Sequence, residues 1–392
     1  MAPPVTRGMR ARAAASLDRI PRDALFEALL PLPARDLCRL RVVSRAWSSL
    51  TSDPAFVGAH SASHRGPLFL ARFRGDRAHV YVIDLAGAVL KRLEVAGAAG
   101  LHVQPTRLPL ACLAADWNAS CRVLNPATGA VRALPPGPAP EHRNRVILRD
   151  PYTFFALGLV RSTGQYKVFR MLNRLGFLGG GEQLYEVLTL NSGSSSDQNP
   201  TWRAKPKPSL CIEACTGVVV DAAVYFLVSR GYKLVALHDA GARSDHILSF
   251  DLATEQWRRG TLAGPIGEEI DAAENFQNRR HHLALAELSG SLVLVYKRRE
   301  EVFFVMDMWF RTGFENGRWE KKYTIQTQVI AQIADNLDHV RPVLVLDDGR
   351  LVIHEAPAGV LIIWDPRTNS FSELRRLVDS VGVFTGSLLS IQ

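Results

Sequence analysis

Three separated stretches of this chain end in the same turn: Asn125-Pro126-Ala127-Thr128-Gly129, Asp251-Leu252-Ala253-Thr254-Glu255 and Asp365-Pro366-Arg367-Thr368-Asn369. Asp84-Leu85-Ala86-Gly87 is a weaker fourth copy. In each, the leading Asx side chain can accept from a backbone N–H two residues on, which bends the chain locally. A recurring turn implies a recurring hairpin, and a chain that repeats hairpins folds as a stack or ring of like units. Short apolar runs lie between the turns, among them Leu68–Phe73, Val80–Leu85, Ala156–Val160, Val218–Val228, Ser291–Tyr296, Val302–Asp307, Val343–Leu346, Leu351–His354 and Val360–Trp364. They are bounded by Gly, Pro, Asp and Asn, the punctuation of short strands.

Trp202, Trp257 and Trp319 each open a strand in this region and lie 55 and 62 residues apart, while Asp84 and Asn125 are separated by 41. Periods of about 40 to 50, stretched by loop insertions, fit four-stranded propeller blades. Turn–strand units near 84, 125, 190, 251, 307 and 365 predict six or seven blades. The tryptophans are expected to pack between blades, and a last strand over Val381–Ile391 is expected to close the ring on the first blade.

The first 60 residues have a different texture. Pro21 suits a first helical turn, where its missing N–H costs nothing. Leu25, Phe26, Leu29 and Leu30 follow at helical spacing. Pro31 and Pro33 end that helix, and a second carries Leu37, Leu40, Val43 and Trp47 at steps of three, three and four. Ser44 marks a break or a fresh cap, and Asp53-Pro54 opens a last short helix containing Phe56. About 40 residues cannot bury an independent core, so this module needs a partner or the following domain to cover its apolar faces. The expected fold is thus α+β by segregated domains. A disordered basic tail spans 1–17, a three-helix module 18–62 and an all-β propeller of about six or seven blades 65–392.

Composition excludes several functions. The formal net charge is +9, but no Lys/Arg block interleaves with aromatics, so no nucleic-acid partner is expected. Five cysteines form no Cys-x-x-Cys pair and read as free thiols of a reducing compartment. The longest apolar stretch, Gly217–Val228, is broken by Asp221 and is too short to span a bilayer. No secretory signal opens the chain, so an intracellular soluble protein of cytoplasm or nucleus is expected.

No catalytic signature stands out, and no cofactor or metal is expected. Glu287-Leu288-Ser289-Gly290-Ser291 lacks the first glycine of a nucleophile elbow. The adjacent His281-His282 lack a third ligand at metal spacing. Glu268, Glu269, Asp271 and Glu274 read as a solvated acidic loop. Arg298-Arg299 beside Glu300-Glu301 reads as an exposed hairpin with cancelling charges.

Residues 20–60 resemble an F-box: Ile20-Pro21, Leu32-Pro33, Leu37, Val43-Ser44-Arg45-Ala46-Trp47 and Asp53-Pro54 with Phe56 stand in the F-box order. The β region resembles the F-box-associated domain of plant F-box proteins, of a propeller-like third type. The stretches that carry this are Asn125–Pro135, Gly164–Val168, Gly217–Asp221 with Tyr225–Leu227, Ile247–Asp251 and Leu346–Arg350.

The resemblance implies a non-catalytic substrate receptor of an SCF-type cullin–RING ubiquitin ligase. Its head would bind a SKP-family adaptor, and through it the cullin and RING subunits. Its propeller would hold an unidentified target, through loops such as 171–183, 192–208, 230–245 and 264–280. Carried over residue by residue, the adaptor contacts would be Ile20, Pro21, Leu25, Leu32, Pro33, Leu37, Leu40, Val43 and Trp47. Leu25, Leu29 and Leu40 could equally hold the helices together. Two other readings stay open. One is a carbohydrate-active or carbohydrate-binding propeller with carboxylates converging on one mouth; the other is an adaptor-bound scaffold without a ubiquitination role.

Overall fold

The computed structural model describes residues 20–32, 34–63, 66–97, 99–115, 120–146, 153–173, 182–190, 200–229, 243, 245–267, 281–300, 303–313, 317–328 and 339–385. The expected basic tail lies outside them. Four short helices come first: α1 Arg22–Leu29, α2 Ala34–Leu40, α3 Arg45–Thr51 and α4 Pro54–Ser63. The sequence had suggested three. The second helix is not continuous, because α2 stops at Leu40 and Ser44 recaps the chain, accepting from the N–H groups of Ala46 (3.1 Å) and Trp47 (3.4 Å).

Apart from loops and two short 3-10 turns, Pro140–His142 and Ala214–Thr216, the described residues after the helices form β structure arranged as six blades. Blade 1 takes Leu68–Phe73, His79–Ile83 and Val89–Glu94 from the start of the region and Val378–Phe384 from its end. Blade 2 is His102–Val103, Ala111–Ala114, Cys121–Leu124 and Val131–Ala133; blade 3 is Phe154–Val160, Gln165–Leu172, Leu184–Leu190 and Arg203–Lys205. Blade 4 is Val218–Val220, Ala223–Leu227, Ile247–Asp251 and Gln256–Trp257. Blade 5 is His281–Leu288, Ser291–Glu300, Phe303–Thr312 and Arg318–Thr327, and blade 6 is Val340–Val345, Leu351–Glu355, Val360–Asp365 and Ser370–Arg375. Inner strands of neighbouring blades touch in turn around the axis: Val378–Phe384 meets His102–Val103, Ala111–Ala114 meets Phe154–Val160, the first strands of blades 3 to 6 meet in sequence, and Val340–Val345 of blade 6 meets Val378–Phe384 of blade 1. The ring is therefore closed by the C-terminal strand, in register Leu68↔Phe384 to Arg72↔Ser380.

Alternation along each strand explains the core. In the second strand of blade 2, Ala111 and Leu113 point into the cluster shared with blade 1, while Cys112 and Ala114 point into the one shared with blade 3. With both faces buried, the strands read as near-continuous apolar runs. The same arithmetic gives one apolar cluster at each of the six seams.

The tryptophans staple the seams. Trp202 donates its indole N–H to the Pro135 carbonyl (2.7 Å), Trp257 to Pro206 (2.8 Å) and Trp319 to Ala263 (2.8 Å). In every case the acceptor lies just after the outer strand of the preceding blade. The expected interblade packing is present, with a hydrogen bond that sequence alone did not specify.

Two strand expectations change. Val218–Val228 is a tight hairpin, not one strand, turning at Asp221 and Ala222, whose φ values are 44° and 58°. The unit near 307 falls inside a strand. There Asp307 is a buried acceptor for Arg298 (2.5 Å) and for the Thr324 hydroxyl (2.6 Å). That pairing also half-buries Arg298, which composition had placed on an exposed hairpin.

Candidate functional site

The helical module is held by a small apolar cluster of Leu25, Leu29, Leu37, Leu50 and Phe56. Phe26 meets Phe56 edge-on at 5.0 Å between ring centroids. Polar contacts fix the turns. His60 Nε2 donates to the Leu32 carbonyl (2.9 Å), and Arg41 reaches the Thr51 hydroxyl (3.1 Å) and carbonyl (2.7 Å). Asp53 caps α4 by accepting from Ala55 N–H (2.9 Å) and pairs with Arg22 at 2.5 Å.

This arrangement divides the sequence-derived contact residues. Leu25 and Leu37 are buried in the cluster, where they hold the helices together. Leu32, Leu40 and Trp47 are half-buried against it. Ile20, Pro21 and Val43 are exposed. Pro33 lies outside the described residues. Val43 is exposed because it sits in the turn after α2, off the helical stripe on which its spacing placed it.

Its neighbour Val42, 89% exposed, was missed. The only signal was the Val-Val pair itself, since two adjacent apolar residues cannot both face one core. The Trp47 indole N–H is buried and finds no acceptor among the described residues.

In the propeller, all four repeated turns make the Asx bond that their sequence implies. Asn125 accepts from Ala127 N–H (3.0 Å), Asp251 from Ala253 (2.8 Å), Asp365 from Arg367 (2.9 Å) and Asp84 from Ala86 (2.9 Å). Two of these turns also contact the preceding blade. Lys91 Nζ donates to the Pro126 carbonyl (2.9 Å), and Lys167 and Lys205 meet Glu255 at 2.9 and 2.6 Å. Burial opposes the charge on Glu255, but hydrogen bonds from Arg203, Lys205 and Lys167 outweigh it and hold the pKa at about 2.

A short strap crosses the inner edge of the ring. Arg107–Leu108 pairs in parallel with Val383 and Phe384, adding a fifth strand to blade 1. Gly382 permits this approach, since a Cβ there would lie 3.1 Å from the Gln104 carbonyl oxygen. From the strap Arg107 reaches Glu287 of blade 5 at 3.6 Å. Burial raises the pKa of Glu287, with Arg107 opposing the shift. Asp221 lies 3.9 Å from Arg161. These two carboxylates thus face guanidinium groups.

The acidic run Glu268, Glu269, Asp271 and Glu274 is outside the described residues, as is most of the loop sequence named for target recognition. Among the described residues no three His, Cys, Asp or Glu side chains group as metal ligands, and no helix is long and apolar enough to cross a membrane.

Comparison with known proteins follows this division of the chain. Residues 17–57 match the F-box domain family, and residues 110–371 match the family designated FBA_1, F-box associated beta propeller domain. That designation does not carry the third-type subdivision read from the sequence, and the assignment stands at the level of the F-box associated propeller domain.

Similar curated proteins come from Arabidopsis thaliana. F-box protein At2g43440 is 25% identical over 261 residues, covering 60% of this chain and 55% of its own length. F-box/LRR-repeat protein At2g43260 is 26% identical over 341 residues, 79% of this chain and 68% of the relative. F-box protein CPR1 is 24% identical over 391 residues, 91% of this chain and 84% of the relative. The chain thus spans little more than half the length of the first of them and most of the third. With an F-box at its head and two thirds of its length matching the propeller family, the chain belongs to the F-box proteins with an F-box associated β-propeller domain.

Proposed function

We propose that this chain is the substrate-recognition subunit of an SCF-type cullin–RING ubiquitin ligase. The F-box binds a SKP-family adaptor, which bridges to the cullin and RING subunits, and the propeller holds a target protein. The chain contributes no catalytic group. It acts by proximity, raising the effective concentration of target lysines near the ubiquitin thioester carried by another subunit. Cytoplasm and nucleus are the compartments where such a complex works.

The observation that carries the reading is the union, in one chain and in this order, of the F-box and a closed six-bladed propeller. A module of four short helices whose Ile20, Pro21, Val42 and Val43 stand exposed needs an external surface to cover them. Val43 and its neighbours are accordingly assigned to the adaptor contact, and Leu25 and Leu37 to support of the module.

The test is co-purification of the full chain with a SKP-family adaptor, beside a Val43→Asp variant. Because Val43 is 58% exposed, the variant should fold, which a thermal melt checks. Burying an aliphatic side chain is worth about 1.5–3 kcal/mol, so adaptor affinity should fall by about tenfold or more. Retention of adaptor by wild type and its loss from the folded variant is the expected pair of results. Wild-type chain that captures no adaptor would overturn the reading.

A further inference from the structure

Leu377, in the turn that leads into the closing strand, has a φ of 61° and is 60% exposed. The other described non-glycine residues with positive φ are Asn173, Asp221, Ala222, Glu255, Ser289 and Asn369. Asn, Asp and Ser tolerate this region through local hydrogen bonds, alanine has only a methyl group, and Glu255 is gripped by cations from the neighbouring blade. Leu377 is the large apolar residue of the set. An exposed leucine alone would need no explanation, whereas one held in a left-handed conformation points to function.

The backbone there is fixed by the seam between blades 6 and 1. Arg74 N–H donates to the Leu377 carbonyl (2.8 Å), and Val378 N–H donates to Gly359 (2.9 Å). His354 Nε2 donates to the Val378 carbonyl (3.1 Å), and the Arg74 guanidinium donates to the carbonyls of Ala356 and Pro357. Closure imposes the conformation but not the side chain, for glycine would meet it without strain.

The surroundings are cationic. Arg74, Arg375 and Arg376 are exposed, and Arg376 pairs with Glu373 at 2.7 Å. Among the described residues neither Arg74 nor Arg375 has a carboxylate within ion-pair reach; Arg375 lies over the Phe73 ring at 5.0 Å. The nearby acids are engaged elsewhere. Asp76 accepts from Tyr81 (2.5 Å) and lies 2.9 Å from His79 Nδ1, and Asp379 lies 3.1 Å from His102.

We propose that Leu377, flanked by Arg74 and Arg375, is a docking point for an extended acidic segment of a target protein, one that places an apolar side chain between its carboxylates. The inference rests on the propeller being the target-holding body. Charge complementarity selects the acidic partner, and the solvent-facing leucine selects the apolar residue within it.

The full chain is panned against displayed random dodecapeptides, and the enriched sequences are synthesised with a fluorescent label for anisotropy titration. Expected are peptides with Asp or Glu flanking an apolar residue, bound more weakly at higher salt. Binding should fall by about tenfold or more in Leu377→Gly and in Arg375→Glu. Leu377→Gly should melt at or above the wild-type temperature, because glycine fits the backbone there.

A lowered melting temperature in Leu377→Gly would make Leu377 a structural residue and overturn the proposal. So would enrichment of peptides lacking the acidic–apolar pattern, no enrichment at all, or undiminished binding by both variants. Adaptor capture is scored in parallel on wild type and both variants. A failure of the receptor reading then appears as missing adaptor, independently of the peptide result.

Discussion

Glu255 occupies the turn position filled by Gly129 in the second blade and shares its positive φ, at 57° against 83°. A glutamate accepts that backbone because its carboxylate is held by Lys167, Arg203 and Lys205 of the preceding blade. The Asx bond was legible in the sequence, since it spans two residues. The cation cluster was not, because its members lie 50 to 88 residues away and meet only when blades 3 and 4 pack. Glu255→Gln should leave three cations facing a neutral amide and cost about 2 kcal/mol at pH 7. The carboxyl titrates at about 2 when folded, below its ordinary 4.5. The unfolded chain therefore takes up the proton first as pH drops. This contribution is complete above about pH 4.5 and is lost as pH falls through about 2. Urea unfolding of both proteins checks this: the gap between them should be constant from pH 7 to 5 and shrink toward pH 2. A gap that persists at pH 2 would refute the ion-pair explanation.

At the scale of elements, the legible features were those with a period and a local cap. The apolar runs located most blade strands, and the hairpin at Asp221 and Ala222 was missed because both of its arms are buried and read as one run. In the F-box, the steps of three, three and four from Leu37 to Trp47 describe a helix that does not exist as one piece. Ser44 decides the matter by capping α3 in extended geometry, with φ −152° and ψ 148°. Ser44→Ala should destabilise the chain's helical module by about 1 kcal/mol. Hydrogen exchange followed by mass spectrometry should show faster exchange in α3, with blade peptides unchanged. Equal protection in both proteins would mean that packing of Leu50 and Trp47, and not the cap, sets the start of α3. The residues proposed to face the adaptor were only half legible for a related reason. Order along the chain names the motif, but whether a motif residue points inward, as Leu25 and Leu37 do, or outward, as Val43 does, depends on where each helix stops.

For the whole molecule, the decisive event is joining the two ends of the ring. That joining, a last strand paired with the first blade, was anticipated; the cross-seam bonds of Val103 to Ser380 and of Arg74 to Ala356 and Pro357, between residues 277 to 283 apart in the chain, could not be. Ser380 Oγ accepts from Val103 N–H of blade 2 (2.9 Å) on one side of the closing strand, and His354 of blade 6 holds the Val378 carbonyl on the other. His354 is 3% exposed. Burial lowers its pKa to about 4, partly offset by the bond to Val378 and by Asp379, while Arg341 and Arg74 add to the lowering.

The imidazole is thus neutral in the closed ring, and the unfolded chain, titrating near 6.5, binds the proton more readily. Stability from this site is full above about pH 6.5 and falls as pH drops toward 4, by about 3 kcal/mol over the window if the site stays dry. His354→Gln removes the titration while its amide N–H can still donate to Val378. The variant should resemble wild type within about 1 kcal/mol at pH 7. Below pH 6.5 its unfolding midpoint should fall more slowly with acid than that of wild type, so that the two curves converge or cross near pH 4. Parallel midpoints from pH 7 to pH 4 would mean that the seam opens to water and protonates His354 without unfolding. Acid stability would then be governed elsewhere in the ring.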